Sequence, residues 1–105
     1  MEKLDQAHPK VREAIAAFQE ARSADWAAAF APEVELLDDG NPRDFTGFSR
    51  EALGHERFTA IETVEKGGLG VVGRFHSDQW GDFRTYFRFR LGADGRFDRL
   101  EIGQA

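Results

Sequence analysis

The run VVGRFHSDQWGDFRTYFRFRL, Val71 to Leu91, decides the fold. Apolar and polar side chains alternate on both sides of Gln79-Trp80-Gly81, which is the period of half-buried strands. A three-residue loop with Gly81 at a positive-φ position closes a hairpin. The predicted register sets Asp78 against Asp82, Ser77 against Phe83, Phe75 against Thr85, Gly73 against Phe87 and Val71 against Phe89. One face then carries Val71, Phe75, Phe83, Thr85, Phe87, Phe89 and Leu91. The other carries Arg74, His76, Arg84, Tyr86, Arg88 and Arg90. A two-residue turn would slip one strand and mix the two faces, so the three-residue loop is preferred.

Outward from the hairpin, GADG (92–95) turns the chain into RFDRLEI (96–102). Phe97 differs in parity from Leu100 and Ile102, so a bulge near Asp98 or Arg99 is needed to bring all three to the core. On the other side, AIETVE (60–65) reads as a strand and KGGLG (66–70) as a turn. No Gly-Lys-Ser/Thr ending or helix follows KGGLG, so it is not read as a phosphate loop. Ser49 is expected to cap a helix running to about Arg57, with Glu51 in its first turn.

The N-terminal third is helical in pattern. Pro9 suits a first turn, and Val11, Ala14, Ile15, Phe18 and Ala21 follow at helical spacing. Ser23-Ala24-Asp25 caps a short second helix with a stripe of Trp26, Ala29 and Phe30, stopped at Pro32. The strand EVELLD (33–38) follows, and DDGNPRDF (38–45) reads as a loop. Along that strand Val34, Leu36 and Asp38 share one parity. Either the strand ends in a turn at Asp39-Gly40-Asn41, or it aims a carboxylate at the apolar side, where desolvation would disfavour its charge. Both readings stay open at this point. Three helices at the start and a four-stranded meander at the end give an α+β fold.

Composition narrows the function. A chain of 105 residues is expected to form one domain around one core, and 41% hydrophobic with 31% charged residues is a globular balance. Ten phenylalanines can line an apolar interior that holds a pocket. A net charge of −5 disfavours phosphate backbones, and the arginines of the last third are spread along strands, so no nucleic-acid partner is expected. The chain has no cysteine, and no apolar run approaches the roughly 18 residues needed to span a bilayer. MEKLDQAHPK lacks the apolar core of a signal peptide. A cytoplasmic protein with no membrane partner and no cofactor is the expectation. His8, His55 and His76 have no metal-ligand spacing, so no metal site is expected either.

The helix residues WAAAF running into APEVELLDDG, the small helix SREALG and the final FRFRLGADGRFDRLEI resemble the nuclear transport factor 2-like superfamily over nearly the whole chain. Within it they look most like SnoaL-type polyketide cyclases and bacterial ketosteroid isomerases. The resemblance implies a cone-shaped, curved antiparallel sheet closed by three N-terminal helices around an apolar pocket, a roll also called cystatin-like. It also implies pairing of two copies through the outer sheet face. Aligned without gaps, Asp38 falls on the isomerases' general base. Their two oxyanion donors, a tyrosine and a protonated acid, fall on Ala14 and Thr85. Isomerase chemistry at full strength is therefore not expected.

Asp38 is the candidate base, and His55 could join it as a dehydratase-like pair if the two came within about 3 Å. Phe18, Trp26, Phe30, Phe75, Phe83, Thr85, Phe87, Leu100 and Ile102 are the candidate lining of a cavity for a small, apolar or partly polar ligand. His76 shares a face with arginines and is placed outside. Two functions follow from these residues: an isomerase or lyase acting through Asp38, or a non-catalytic ligand-binding or dimerising module of the same fold.

Overall fold

A computed structural model describes residues 2–105. A short 3₁₀ segment, Glu2–Gln6, leads into α1 (Pro9–Gln19) and α2 (Ser23–Ala28). Strands β1 (Phe30–Asp38) and β2 (Asn41–Arg43) form a hairpin, and α3 (Phe45–Ala52) follows. Then come β3 (Glu56–Glu65), β4 (Gly70–Ser77), β5 (Gly81–Leu91) and β6 (Phe97–Gln104). They form one six-stranded sheet in the order β2-β1-β6-β5-β4-β3. Its pairs are antiparallel except β1 with β6, which run parallel and are separated in the chain by helix α3 and four strands.

The hairpin at β4–β5 keeps its two faces but not its register. Phe75 opposes Phe83, Gly73 opposes Thr85 and Val71 opposes Phe87, two residues away from the expected pairs. Ser77 explains the difference. Its hydroxyl accepts the backbone N–H groups of Gln79 and Trp80, both at 3.2 Å, so the loop begins one residue earlier. Gly81, at φ +81°, pairs directly with Ser77 and ends the loop. A shift by two preserves parity, so the inward phenylalanines stay inward.

The bulge expected near Asp98 or Arg99 is at Asp98. Arg90 opposes Arg99 while Leu91 opposes Phe97, and Phe97, Leu100 and Ile102 are all buried. Three boundaries differ from expectation. Phe30 opens β1 instead of closing α2. Asp39 (φ +49°) and Gly40 (φ +84°) form a tight two-residue turn, so the expected loop contains strand β2. Helix α3 starts earlier, capped by Asp44, whose carboxylate accepts the Gly47 N–H at 2.8 Å, and it ends at Ala52. Residues 56 and 57, expected in that helix, open β3.

Helices α1–α3 cover the inner face of the sheet over an aromatic core. Phe18 and Trp26 have no exposed surface, and their rings meet edge-on at 5.1 Å between centroids. Phe18 also meets Phe48 (6.4 Å), Phe75 (6.1 Å) and Phe87 (5.4 Å). Trp26 continues the cluster to Phe30 at 4.7 Å, and its indole N–H donates to Ser49 at 3.0 Å. Gln19 fastens α1 to the sheet. Its amide accepts the Phe58 N–H and donates to the Phe58 carbonyl, both at 2.8 Å, beside the irregular pairing at residues 58–60.

Phe18→Ala should cost about 3–5 kcal/mol in urea unfolding, since the ring is fully buried among four others. Phe18→Leu, which keeps a branched apolar side chain, should lose roughly half of that or less. A loss under about 1 kcal/mol for the alanine variant would show that this core collapses around the gap.

Candidate functional site

A cleft of about 650 Å³ opens at one end of the inner sheet face. Its floor is Phe48 from α3, Phe75 from β4, Phe83, Thr85 and Phe87 from β5, and Ile102 from β6. Its walls are polar: Asp38 and Asp39 from β1 and its turn, Arg43 from β2, Glu51 from α3, His55, and Glu56 from β3. Asp78, Gln79 and Trp80 of the β4–β5 loop close the rim with Asp82.

Asp38 lies on this cleft as its parity suggested. The strand continues through it, and its register partner is the inward Ile102. It is not a bare acid in an apolar pocket, however. Arg43 Nη1 donates to Asp38 Oδ2 at 2.8 Å, and Arg43 Nη2 donates to Glu51 Oε2 at 2.8 Å. The same guanidinium lies over the Phe48 ring at 5.1 Å. The Asp38 side chain is 34% exposed, so this ion pair is only partly screened from solvent. The hairpin turn at Asp39-Gly40 produces the pair by folding Arg43 back opposite Leu36 on the inner face.

The sequence reading missed several cleft residues, among them Arg43, Glu51, Asp78 and the inward-drawn Glu56. Glu56 is half-buried on β3 and points to the same face as the buried Phe58. Burial pushes its carboxyl pKa up, aided by the charges of Glu51 and Asp38. A hydrogen bond from Ser77 and the charge of Arg43 oppose the rise. The Ser77 hydroxyl, 1% exposed, donates to Glu56 Oε2 at 3.1 Å while its lone pairs hold the loop N–H groups. Had the strand been read as starting at residue 56, its parity with Phe58 would have revealed it.

His55 lies just past α3, not late within it, and its partner is Asp78: Nδ1 is 3.3 Å from Oδ2. The expected pair with Asp38 is replaced by this rim contact because the helix ends at Ala52. His76 lies outside the cleft and joins Asp78 (3.2 Å) and Asp82 (2.7 Å). The bond to Asp82 raises the His76 pKa, and the bonds from His55 and His76 hold the Asp78 carboxyl below its ordinary range.

Of the expected lining, Phe75, Phe83, Thr85, Phe87 and Ile102 wall the cleft. Phe18, Trp26, Phe30 and Leu100 do not. They are buried in solid core, since α1 and α2 pack directly on that end of the sheet. Neither oxyanion position is served. Ala14 lines a separate groove between α1 and α2, and Thr85 Oγ1 donates its proton to the Gly103 carbonyl at 2.6 Å. Trp80 is the one large apolar side chain among the described residues that is exposed, at 71%.

No family model and no curated protein matches the chain. Solved structures do. A nuclear transport factor 2-like protein of unknown function from Cytophaga hutchinsonii superposes with a TM-score of 0.74 at 9% identity, over 91% of this chain and 87% of that one. One from Burkholderia pseudomallei gives 0.72 at 21% identity, over 100% and 92%. A candidate polyketide cyclase from Xanthomonas campestris gives 0.68 at 17% identity, over 98% and 93%. At these identities the likeness is one of architecture, and the chain has the nuclear transport factor 2-like α+β fold.

Proposed function

We propose that the cleft binds a small, partly polar molecule and transfers a proton within it, as an isomerase or lyase acting at a carbon acid. Asp38 is the base. The observation that carries this reading is the place of Asp38, bonded to Arg43 at 2.8 Å on the wall of a cleft with an apolar floor. The apolar floor of Phe75, Phe83 and Phe87 would hold the ligand body beside it. His55, 63% exposed at the rim and bonded to Asp78, is placed to exchange protons with solvent. Likeness of fold to a candidate polyketide cyclase is consistent with such chemistry.

A second reading has its own support. The Asp38 carboxylate is already bonded to Arg43, and the Thr85 proton is already committed to Gly103. Those two facts favour a module that binds its ligand without catalysis. The absence of cysteine keeps the cytoplasm as the proposed location.

Pairing of two copies through the outer sheet face is also proposed. Its arginines are matched within the chain: Arg84 to Glu62 (2.8 Å), Arg88 to Glu65 (2.9 Å), Arg90 to Asp98 (2.7 Å) and Arg99 to Glu35 (2.7 Å). Like-charge repulsion between two such faces is therefore weakened.

Three measurements test these readings. Deuterium exchange at the α-carbon of 2-tetralone in D₂O, followed by proton resonance, should exceed the buffer rate. Asp38→Asn should then slow it by about 10²–10⁴. Equal exchange by both proteins would remove Asp38 as base, and exchange at the buffer rate would favour the binding module. Glu56→Gln keeps the acceptor for Ser77 but cannot ionise. A raised folded pKa gives wild type a contribution that is present below the unfolded pKa and lost as pH rises through the folded one. In urea melts the variant should therefore be the more stable protein at pH 7, with the advantage vanishing toward the ordinary glutamate range. A variant less stable at pH 7 would contradict the raised value. Sedimentation at tens of micromolar, by order of magnitude, should give twice the chain mass. A monomer there would retire the dimer.

A further inference from the structure

We infer that the ligand of this cleft is a small organic cation, an ammonium or guanidinium group carried on an aromatic or aliphatic body. The inference rests on the preceding reading of the cleft as a ligand site and adds its chemical class.

Charge distribution carries it first. Six carboxylates line the cleft, and Arg43 is the one arginine or lysine among its lining residues. Removing these from the chain's 19 acidic and 14 basic residues leaves 13 of each. The whole net charge of −5 is therefore located on this one concavity, and the rest of the protein is balanced. A concave wall of one sign raises the local concentration of the opposite sign.

The pairing pattern shows where that charge is still uncompensated. Arg43 is shared by Asp38 and Glu51, and the two histidines are shared by Asp78 and Asp82. Asp39 accepts the Gln104 N–H at 3.2 Å. Glu56 accepts only the neutral hydroxyl of Ser77, although it is the carboxylate drawn furthest into the protein. An ammonium beside it would supply the missing counter-charge and a charge-assisted hydrogen bond. An anion would meet Glu56, Asp38 and Glu51 in a partly desolvated site. A neutral ligand would leave Glu56 as it is.

The floor separates an organic cation from a metal ion. Among the described residues no three His, Asp or Glu side chains converge as a metal ion requires. The carboxylates stand around phenylalanine rings instead, with Trp80 exposed at the mouth. Ring faces attract cations and also bury apolar bodies, so the same surface serves both halves of an amphipathic cation.

The test uses three probes with one ring system: 2-naphthylmethylammonium, 2-naphthylmethanol and 2-naphthoate. Each is titrated at low ionic strength while the backbone amide shifts of Ser77, Gln79 and Ile102 are followed. The ammonium should bind about tenfold or more tightly than the alcohol, with the naphthoate weakest. The ammonium-to-alcohol ratio should fall by about threefold or more in Glu56→Gln, and added salt should compress it in wild type. An alcohol that binds as tightly as the ammonium, or a ratio unchanged in Glu56→Gln, would overturn the cation assignment and leave the cleft a ligand site. If none of the three probes moves these amides, the ligand-site reading falls as well.

Discussion

The ring of Phe18 stands where the packed end of the sheet gives way to the open one, and both ends are shaped by it. It touches Trp26 on α2, Phe48 on α3, Phe75 on β4 and Phe87 on β5, so every layer of the fold meets at one side chain. Three of those partners, Phe48, Phe75 and Phe87, also form the cleft floor. The floor is therefore the outer surface of the core, held by ring contacts from behind. Such pairs contribute roughly 0.5–1.5 kcal/mol each beyond the area they bury. Gln19, the next residue on α1, closes the backbone groups of Phe58. One turn of helix thus fixes both the aromatic wall and the irregular strand that brings Glu56 to the cleft.

Electrostatics at the open end follow from this division. The rim carboxylates are cheap to place there because water still reaches them, Asp82 at 82% and Asp78 at 57% side-chain exposure. Only Glu56 is drawn inward far enough for burial to outweigh its hydrogen bond and the charge of Arg43. Arg43 limits the cost elsewhere by serving two carboxylates while its planar group covers Phe48. The cleft keeps an excess of acidic residues, while the rest of the chain carries as many basic residues as acidic ones. Local cost concentrated at one concave site, with consistency everywhere else, is the pattern of a site under functional constraint.

How much of this was legible depended on which signal each residue sent. Face assignment was readable along β4 and β5, because period-two alternation survives a register error of two residues. The register itself was not, since the bonds from Gln79 and Trp80 to Ser77 decide it, and a serine before a loop does not announce that it will accept them. The Asp98 bulge followed from parity alone. Strand β2 was hidden by proline and glycine, although Asp-Gly between alternating residues is a hairpin signal as well as a loop signal. The α3 boundary mattered most. Ser49 and Asp44 are both good caps, and choosing the later one pushed the helix over residues 56 and 57 and concealed Glu56.

Asp38 shows why parity without topology is an incomplete guide to chemistry. Alternation with Val34 and Leu36 predicted its direction, and the parallel pairing with β6 secures it by placing Ile102 alongside. What alternation could not supply was the residue across the turn. Two residues in positive-φ conformations reverse the chain within Asp39-Gly40 and return Arg43 to the same face. A strand that merely aimed an acid inward would meet the desolvation cost alone. Here the hairpin brings the acid's counter-charge into direct contact, while Glu56, on the far edge strand β3, accepts the Ser77 hydroxyl and has only the longer-range charge of Arg43. Strands from opposite sides of one curved sheet thus bring two carboxylates to a single cleft, one paired with Arg43 and the other bonded to the Ser77 hydroxyl.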